Sequence, residues 1–384
     1  MEKIRFDNFV SLNRGFDLPD DKIIEGKYPV IASTSIKAYH NQFKVKAPIV
    51  VTGRSGSLGK VQYVDEDGWP LNTALYAKDF HGNNPKYVYY FLQTMHLEQY
   101  NAGAGVPTLN QNHLHSLKIL IHELPTQQKI ASILSAYDNL IQNYKKQIEA
   151  LQTAASELYK EWFVRFRFPG WQTTNFENGI PEGWKYLKLS EFGYEVESGN
   201  RPAGGIDDSL EDGIPSLGAE SIDKLGYFDY SNVKLVPREF YDKMKRGHGK
   251  DNDILLYKDG AYIGKVTLFR NGFPFKEYAV NEHVFLLRSN NKDYQNYLYF
   301  TLNMPQYFTQ MQNLNRNAAQ PGLARGDLDR IKILVPNEKV IEKFNKLINP
   351  MIDNIFSYSK QITNLTQQRD LLLPRLMSGK LEVK

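Results

Sequence analysis

No cysteine occurs among the 384 residues. This excludes disulfide frameworks, thiol nucleophiles and Cys-ligated zinc together, and it fits a reducing compartment. No apolar run is long enough to span a bilayer, and the opening Met1-Glu2-Lys3-Ile4-Arg5-Phe6-Asp7 is charged where a signal peptide would be apolar. The expectation is a cytoplasmic chain with no membrane partner. A strong charge of either sign is missing too. Lys and Arg exceed Asp and Glu by only 4 over the whole chain, with 13 basic against 12 acidic residues in 1–125 and 20 against 22 in 168–336. Neither segment carries the basic excess of a protein that holds phosphates on charge alone, so any nucleic-acid binding has to rest on local patches or on partners.

Motifs for chemistry are equally scarce. Methyl transfer to a base amine needs an Asn-Pro-Pro-Tyr type loop, and the nearest string, Asn84-Pro85-Lys86-Tyr87, has lysine at the second proline. Gly103-Ala104-Gly105 lacks the preceding strand and third glycine of a cofactor loop. Gly53 to Lys60 is glycine-rich but ends in Lys60-Val61, so it is no phosphate loop. Pro19-Asp20 and Glu25-Gly26-Lys27 imitate a nuclease metal motif, but the spacing is too tight for carboxylates on two neighbouring strands to share one ion. His113 and His115, read as one face of a strand, have a spacing that metals accept. The corresponding place later in the chain holds Asp327-Leu328-Asp329, so a polar surface is the better reading. No catalytic residue, metal or cofactor is expected.

What the chain does contain is a repetition at about 210 residues, far longer than a solenoid period. Lys146-Gln147-Ile148-Glu149-Ala150-Leu151 is answered by Lys360-Gln361-Ile362-Thr363-Asn364-Leu365, and Leu117-Lys118-Ile119-Leu120 by Ile331-Lys332-Ile333-Leu334. The spacing predicts an α+β molecule with two pseudo-twofold-related globular lobes, 1–125 and 168–336, and two helical spacers, 126–167 and 337–384.

In the first spacer Ile130, Leu134, Tyr137, Ile141, Tyr144, Ile148, Leu151, Ala155, Leu158 and Trp162 alternate steps of four and three, an a/d seam on the order of 50 Å long. Thr126 is the expected N-cap, and Phe168-Pro169-Gly170 the stop. The second seam runs Ile341, Phe344, Ile348, Met351, Ile355, Tyr358, Ile362, Leu365, Leu372 and Leu376. Pro350 should open the main helix there, with Asn349 as its cap and a shorter helix before it, while Pro374 should kink the far end. Two stripes of matching length pair most simply with each other, in an orientation the residues leave open; the alternative is two core helices in separate domains.

Each lobe presents polar turns at matching places. Arg54, Ser55, Ser57 and Lys60 lie on a glycine turn between strands, as do Lys258, Tyr262 and Lys265. Asn72 and Asn281 precede apolar strands, and Asn110, Gln111 and Asn112 face Arg316, Gln320 and Arg325 across the repeat. Arg and Lys pair with guanine O6 and N7, and Asn and Gln with adenine N6 and N7, so these turns hold a base-reading vocabulary. Tight hairpins with solvated polar groups would look the same in sequence.

The chain resembles the specificity subunit of type I restriction-modification systems over nearly its whole length. The resemblance is carried by Leu373-Pro374-Arg375-Leu376-Met377-Ser378-Gly379-Lys380-Leu381-Glu382, by Ile180-Pro181-Glu182-Gly183-Trp184-Lys185, by the two Gly-Lys-Val turns and by Gln127-Gln128-Lys129-Ile130-Ala131. It implies two target-recognition domains, each reading one half of a split double-stranded DNA site, joined by antiparallel helices. Those helices would set the gap and dock two modification (methyltransferase) subunits, with restriction subunits joining for translocation and cleavage. A departure is that the first lobe lacks the Pro-Glu-Gly-Trp lead-in of the second. The alternative from another class is a coiled-coil tether whose lobes bind proteins or glycans.

Overall fold

The computed structural model describes residues 1–103, 105–207, 209–314 and 322–383. It divides into two compact units, Met1–Ile141 with Asn364–Lys384, and Gln142–Thr363.

In the first unit the strands are β1 (Glu2–Arg5), β2 (Ser11–Arg14), β3 (Tyr28–Ile31), β4 (Ile36–His40), β5 (Ile49–Gly53), β6 (Val61–Val64), β7 (Trp69–Pro70), β8 (Ala74–Asp79) and β9 (Lys118–Ile121). They form a β1-β9 ribbon, a four-stranded β2-β8-β5-β6 sheet and a β4-β3-β7 sheet in which β3 and β7 run parallel. All five residues of β5 are buried, which is why Ile49-Val50-Val51-Thr52 reads as an unbroken β-branched run with no polar alternation. A helix over Pro85–Thr94 packs on β5 and β6; Asn84 caps it by accepting from the Tyr87 amide at 3.0 Å, with Pro85 in the first turn where no amide partner is needed.

The second unit holds a small hairpin of β10 (Phe176–Glu177) and β11 (Ile180–Pro181), then β12 (Lys185–Lys188), β13 (Tyr194–Ser198), β14 (Ile214–Leu217), β15 (Leu235–Val236), β16 (Ile254–Tyr257), β17 (Val266–Leu268), β18 (Ala279–Val280), β19 (Val284–Ser289) and β20 (Lys332–Val335). Its sheets repeat those of the first unit strand for strand: β12-β20, β13-β19-β16-β17, and β15-β14-β18 with β14 and β18 parallel. The α+β duplication is thus present in topology as well as in order, while the register shifts in the β2–β8 and β3–β4 pairings have no counterpart in β13–β19 and β14–β15.

Both long helices cross from one unit to the other, the central one over Leu124–Tyr159 and the C-terminal one over Glu338–Met377. Within each unit they run antiparallel. In the second, Tyr144 stacks on Tyr358 at 5.0 Å while Trp162 and Phe163 pack on Phe344 at 5.8 and 4.9 Å. In the first, Arg369 Nη1 donates to Asp138 at 2.6 Å, and Ile130 and Leu134 share a core with Leu373, Leu376 and Met377.

Several local expectations are corrected. The central helix starts at Leu124, so Thr126 sits inside its first turn and does not cap it. It also ends earlier than Phe168, in a π turn over Lys160–Val164 that brings Trp162 and Phe163 both inward. The C-terminal helix is unbroken through Pro350 and Pro374. Proline inside a helix costs about 3 kcal/mol. Burial around Pro350 offsets this, since Ile348, Ile352, Ile355 and Phe356 are all completely enclosed and each contributes about 1.5–3 kcal/mol. Asn349 is no cap either: its Oδ1 accepts from Arg270 and Asn296.

The C-terminal seam is wider than an a/d stripe. Ile352 and Phe356 join Ile355 in the core because this helix packs on its own lobe as well as on the central helix: Phe356 meets Phe273, and Ser359 Oγ donates to the Gly226 carbonyl at 2.5 Å. Met351, Tyr358 and Ile362 are half-buried against that same core, as are Leu151 and Leu158, and Ile148 is buried in it. Ile141 is buried and Tyr137 and Leu365 are half-buried. At the far end Leu373 is more deeply buried than Leu372.

Candidate nucleic-acid interface

In the first lobe the β5–β6 turn is fixed by its main chain. The amides of Arg54 and Ser55 donate to the Thr73 carbonyl at 2.8 and 3.1 Å, and the Leu109 amide donates to the Arg54 carbonyl at 2.8 Å. The half-buried Arg54 side chain donates from Nη1 to the Asn72 carbonyl at 3.2 Å. Asn72 Nδ2 donates to Asp17, which also accepts from Arg14 at 3.1 Å. Asn110 caps the short helix Gln111–His115 by accepting from the Asn112 amide at 2.9 Å. Arg14, Arg54, Thr108, Asn110, Gln111 and Asn112 line one open cleft of about 450 Å³. Ser57 and Lys60 are exposed on the turn beside it.

The second lobe has the same scaffold with other side chains. The Lys258 amide donates to His283 O at 3.0 Å and the Leu323 amide to Lys258 O at 2.9 Å, so Lys258 occupies the place of Arg54 and His283 that of Thr73. The Lys258 Nζ donates to the Glu282 carbonyl at 2.7 Å, as Arg54 does to Asn72. Asp259 stands where Ser55 does, since Ser55 bridges Thr108 and Asp259 bridges Gly322. Arg201 Nε meets Glu282 at 3.2 Å, the counterpart of Asn72 on Asp17 with donor and acceptor exchanged. Gly15 and Gly199 sit at the root of these pairs, each with a backbone carbonyl where a Cβ would lie, of Leu71 and of Val280. A side chain at either position would push the loop off its sheet.

This correspondence corrects the pairing of Asn72 with Asn281. The Leu71 amide donates to Ile31 O at 2.8 Å and the Asn281 amide to Leu217 O at 3.0 Å, so Asn281 matches Leu71 and Glu282 matches Asn72. Asn281 is accordingly only 5% exposed, and its Oδ1 is spent on the His283 amide at 2.9 Å. Lys258 is also turned inward, between the Asp259 carboxylate at 3.5 Å and the Phe285 ring. Tyr262, at 64% exposed, and Arg325, the exposed first residue of the short helix Arg325–Leu328, do face solvent. Lys265 pairs with Asp223 at 3.2 Å. Arg316 and Gln320 lie outside the described residues.

His113 and His115 lie on a helical turn, not a strand. They diverge: His113 sits against Tyr100, while His115 Nε2 accepts from the Leu12 amide at 3.0 Å and its ring stacks on Phe6. Burial lowers the His115 pKa, which keeps that nitrogen free to accept. Among the described residues no group of three or more His, Cys, Asp or Glu is placed to hold a metal ion. No helix among them is long and apolar enough to cross a membrane. Sequence reading missed Arg14, Asp17, Arg201, Asp259, Glu282 and His283. The shared glycines of Arg14-Gly15-Phe16-Asp17 and Ser198-Gly199-Asn200-Arg201 were the available signal for the first of these.

Two like-folded lobes, each with a polar turn held by matched backbone bonds, and antiparallel helices define a duplicated scaffold. The chain belongs to the type I restriction modification DNA specificity domain family, whose model matches residues 2–153 and again 181–368. It is similar to the type I restriction enzyme MjaIX specificity subunit of Methanocaldococcus jannaschii, 29% identical over 372 residues, covering 92% of this chain and 82% of that one. The MjaVIII specificity subunit of the same organism is 25% identical, covering 100% and 93%. The type I restriction-modification S subunit of M. genitalium shares the fold, with a TM-score of 0.65 at 19% identity over 98% of this chain and 96% of that one.

Proposed function

We propose that this chain is the non-catalytic sequence reader of a cytoplasmic type I restriction-modification complex, each lobe reading one half of a bipartite double-stranded DNA site. The observation that carries this reading is one hydrogen-bonded scaffold built twice, with different side chains at matched places. Identical scaffolds position; different side chains discriminate. The long helices set the gap between half-sites and dock two methyltransferase subunits, with restriction subunits joining the assembly. Phosphate contacts from those partners make up for the near-neutral charge of the lobes. The recognition domains are taken as 1–125 and 168–336, with the spacers 126–167 and 337–384.

The test exchanges residues 1–125 for the matching lobe of a relative and maps methylation genome-wide. One half-site should change. Change in both, or in neither, would refute the assignment. Insertion of one heptad into each long helix should lengthen the accepted gap and leave both half-sites alone; an unaltered gap would count against the spacer role. Failure of the assembled complex to bind any duplex would favour a tether whose lobes bind proteins or glycans.

A further inference from the structure

In the first lobe one cation is held without a counter-charge. Arg54 lies half-buried in the cleft, its backbone clamped on both sides by hydrogen bonds to Thr73 and Leu109, and Nη1 anchored on the Asn72 carbonyl. Among the described residues no carboxylate lies within ion-pair distance of it, and no side chain accepts from its Nε or Nη2. Its neighbour Arg14 differs on both counts: it is 51% exposed and already engaged by Asp17. The matched cation of the second lobe, Lys258, is spent on Asp259 and the Glu282 carbonyl.

A guanidinium anchored through one nitrogen, with no side-chain acceptor on Nε or Nη2 and on a residue that lines an open cleft, suits a pair of acceptors side by side. Among base edges in the major groove that pair is O6 and N7 of guanine. Phosphate is the other acceptor-rich group on DNA, but Arg14 and Lys60 are the more exposed cations of this lobe and can reach phosphates without the anchoring that Arg54 has. We infer that Arg54 reads a guanine in the half-site of the first lobe. Asn72 and Thr73 then act as positioning residues, through the carbonyls that hold the Arg54 side chain and main chain. This inference rests on the half-site reading proposed above, and it narrows that reading to one base pair in one half.

The test uses the assembled methyltransferase complex with wild-type, Arg54→Gln and Arg54→Lys chains, acting on a duplex library randomised over the site. The wild-type motif should contain a G·C pair in the first half-site. Arg54→Gln should cut discrimination at that pair by about 5- to 150-fold and move its preference towards adenine, which glutamine pairs in bidentate fashion. The second half-site is the internal control and should not change. If Arg54→Gln gives no active complex, Arg54→Lys decides: it keeps the charge, so the site should persist with weaker discrimination at that single pair.

Three results would overturn the inference: a wild-type first half-site with no G·C pair, a motif unaltered in both variants, or equal weakening on every sequence with the salt dependence reduced by about one phosphate contact. Failure of the parent reading looks different, because the wild-type complex would then yield no bipartite motif at all.

Discussion

The matched polar turns of the two lobes differ in how they spend their charges. Around the β5–β6 turn of the first lobe stand Arg54, Ser55, Asn72 and Thr73, with Asp17 accepting from the asparagine. Around the β16–β17 turn of the second stand Lys258, Asp259, Glu282 and His283, with Arg201 donating to the glutamate. The backbone bonds from the Arg54, Leu109 and Leu71 amides recur from the Lys258, Leu323 and Asn281 amides, while the side chains between them reverse their roles. The lesson is a separation of labour: main-chain carbonyls and two crowded glycines hold both turns in place, with different residue types standing on the same frame. A different residue also fills one matched place elsewhere in the lobes: His115 accepts from the Leu12 amide and Asp329 from the Tyr194 hydroxyl, both at 3.0 Å.

The largest expected break in the comparison is in stability. Arg288 in β19 is 13% exposed and binds Asp253, 1% exposed, through Nε at 2.6 Å, and Glu197 through Nη1 at 2.9 Å. Counting along the strands from Val284 and Ala74, which pair with Tyr257 and Gly53, puts the exposed Lys78, in the bulge of β8, at the matching place. Arg288→Ala strands two carboxylates and should cost about 3–5 kcal/mol. Lys78→Ala should stay within about 0.5 kcal/mol. Denaturant unfolding of the full chain would tell them apart, and equal costs would mean the second lobe is not braced by its ion network.

A smaller effect tests the shifted equivalence. Asn281→Leu copies the residue of the first lobe; it should cost roughly 1 kcal/mol for the lost turn bond and leave both half-sites intact. Glu282→Gln should alter the second half-site alone. A changed motif from Asn281→Leu would return that residue to the interface.

The smallest effect is in pH. Burial lowers the pKa values of His115 and His122, both in the first unit. A depressed folded value means that the unfolded chain takes up protons first, so the stabilisation is complete above the free imidazole value of about 6.5 and is lost as pH falls below it. Hydrogen exchange followed from pH 7.5 to 5.5 should therefore show the first unit loosening before the second. Parallel behaviour of the two units would contradict it.

How much of this could be read from the chain depended on the kind of force involved. The duplicated order, the strand–glycine turn–strand units and the heptad stripes are local patterns, and they were legible. Pro350 misled because propensity is a local quantity, and the burial of Ile348, Ile352, Ile355 and Phe356 that overrides it is not. Asn281 misled because it shares a residue type with Asn72, while the bond to Leu217 that reveals its true partner, Leu71, spans the sheet. The signature strings turn out to have structural work. Gln127 is buried and joins Asn83, Asn84 and His122, and Gly379, in a left-handed conformation, packs beside Met1 and His122. Trp184 stacks on Phe168 after the left-handed Gly183.

One backbone scaffold carries two different sets of side chains. The most direct measurement is the methylation motif of a complex whose first lobe carries Arg54→Lys, Ser55→Asp, Asn72→Glu, Thr73→His and Asp17→Arg, the residues of the second lobe at matched places. The fold should stay intact, the first half-site should change and the second should be untouched. An unchanged first half-site in a folded, active complex would contradict this.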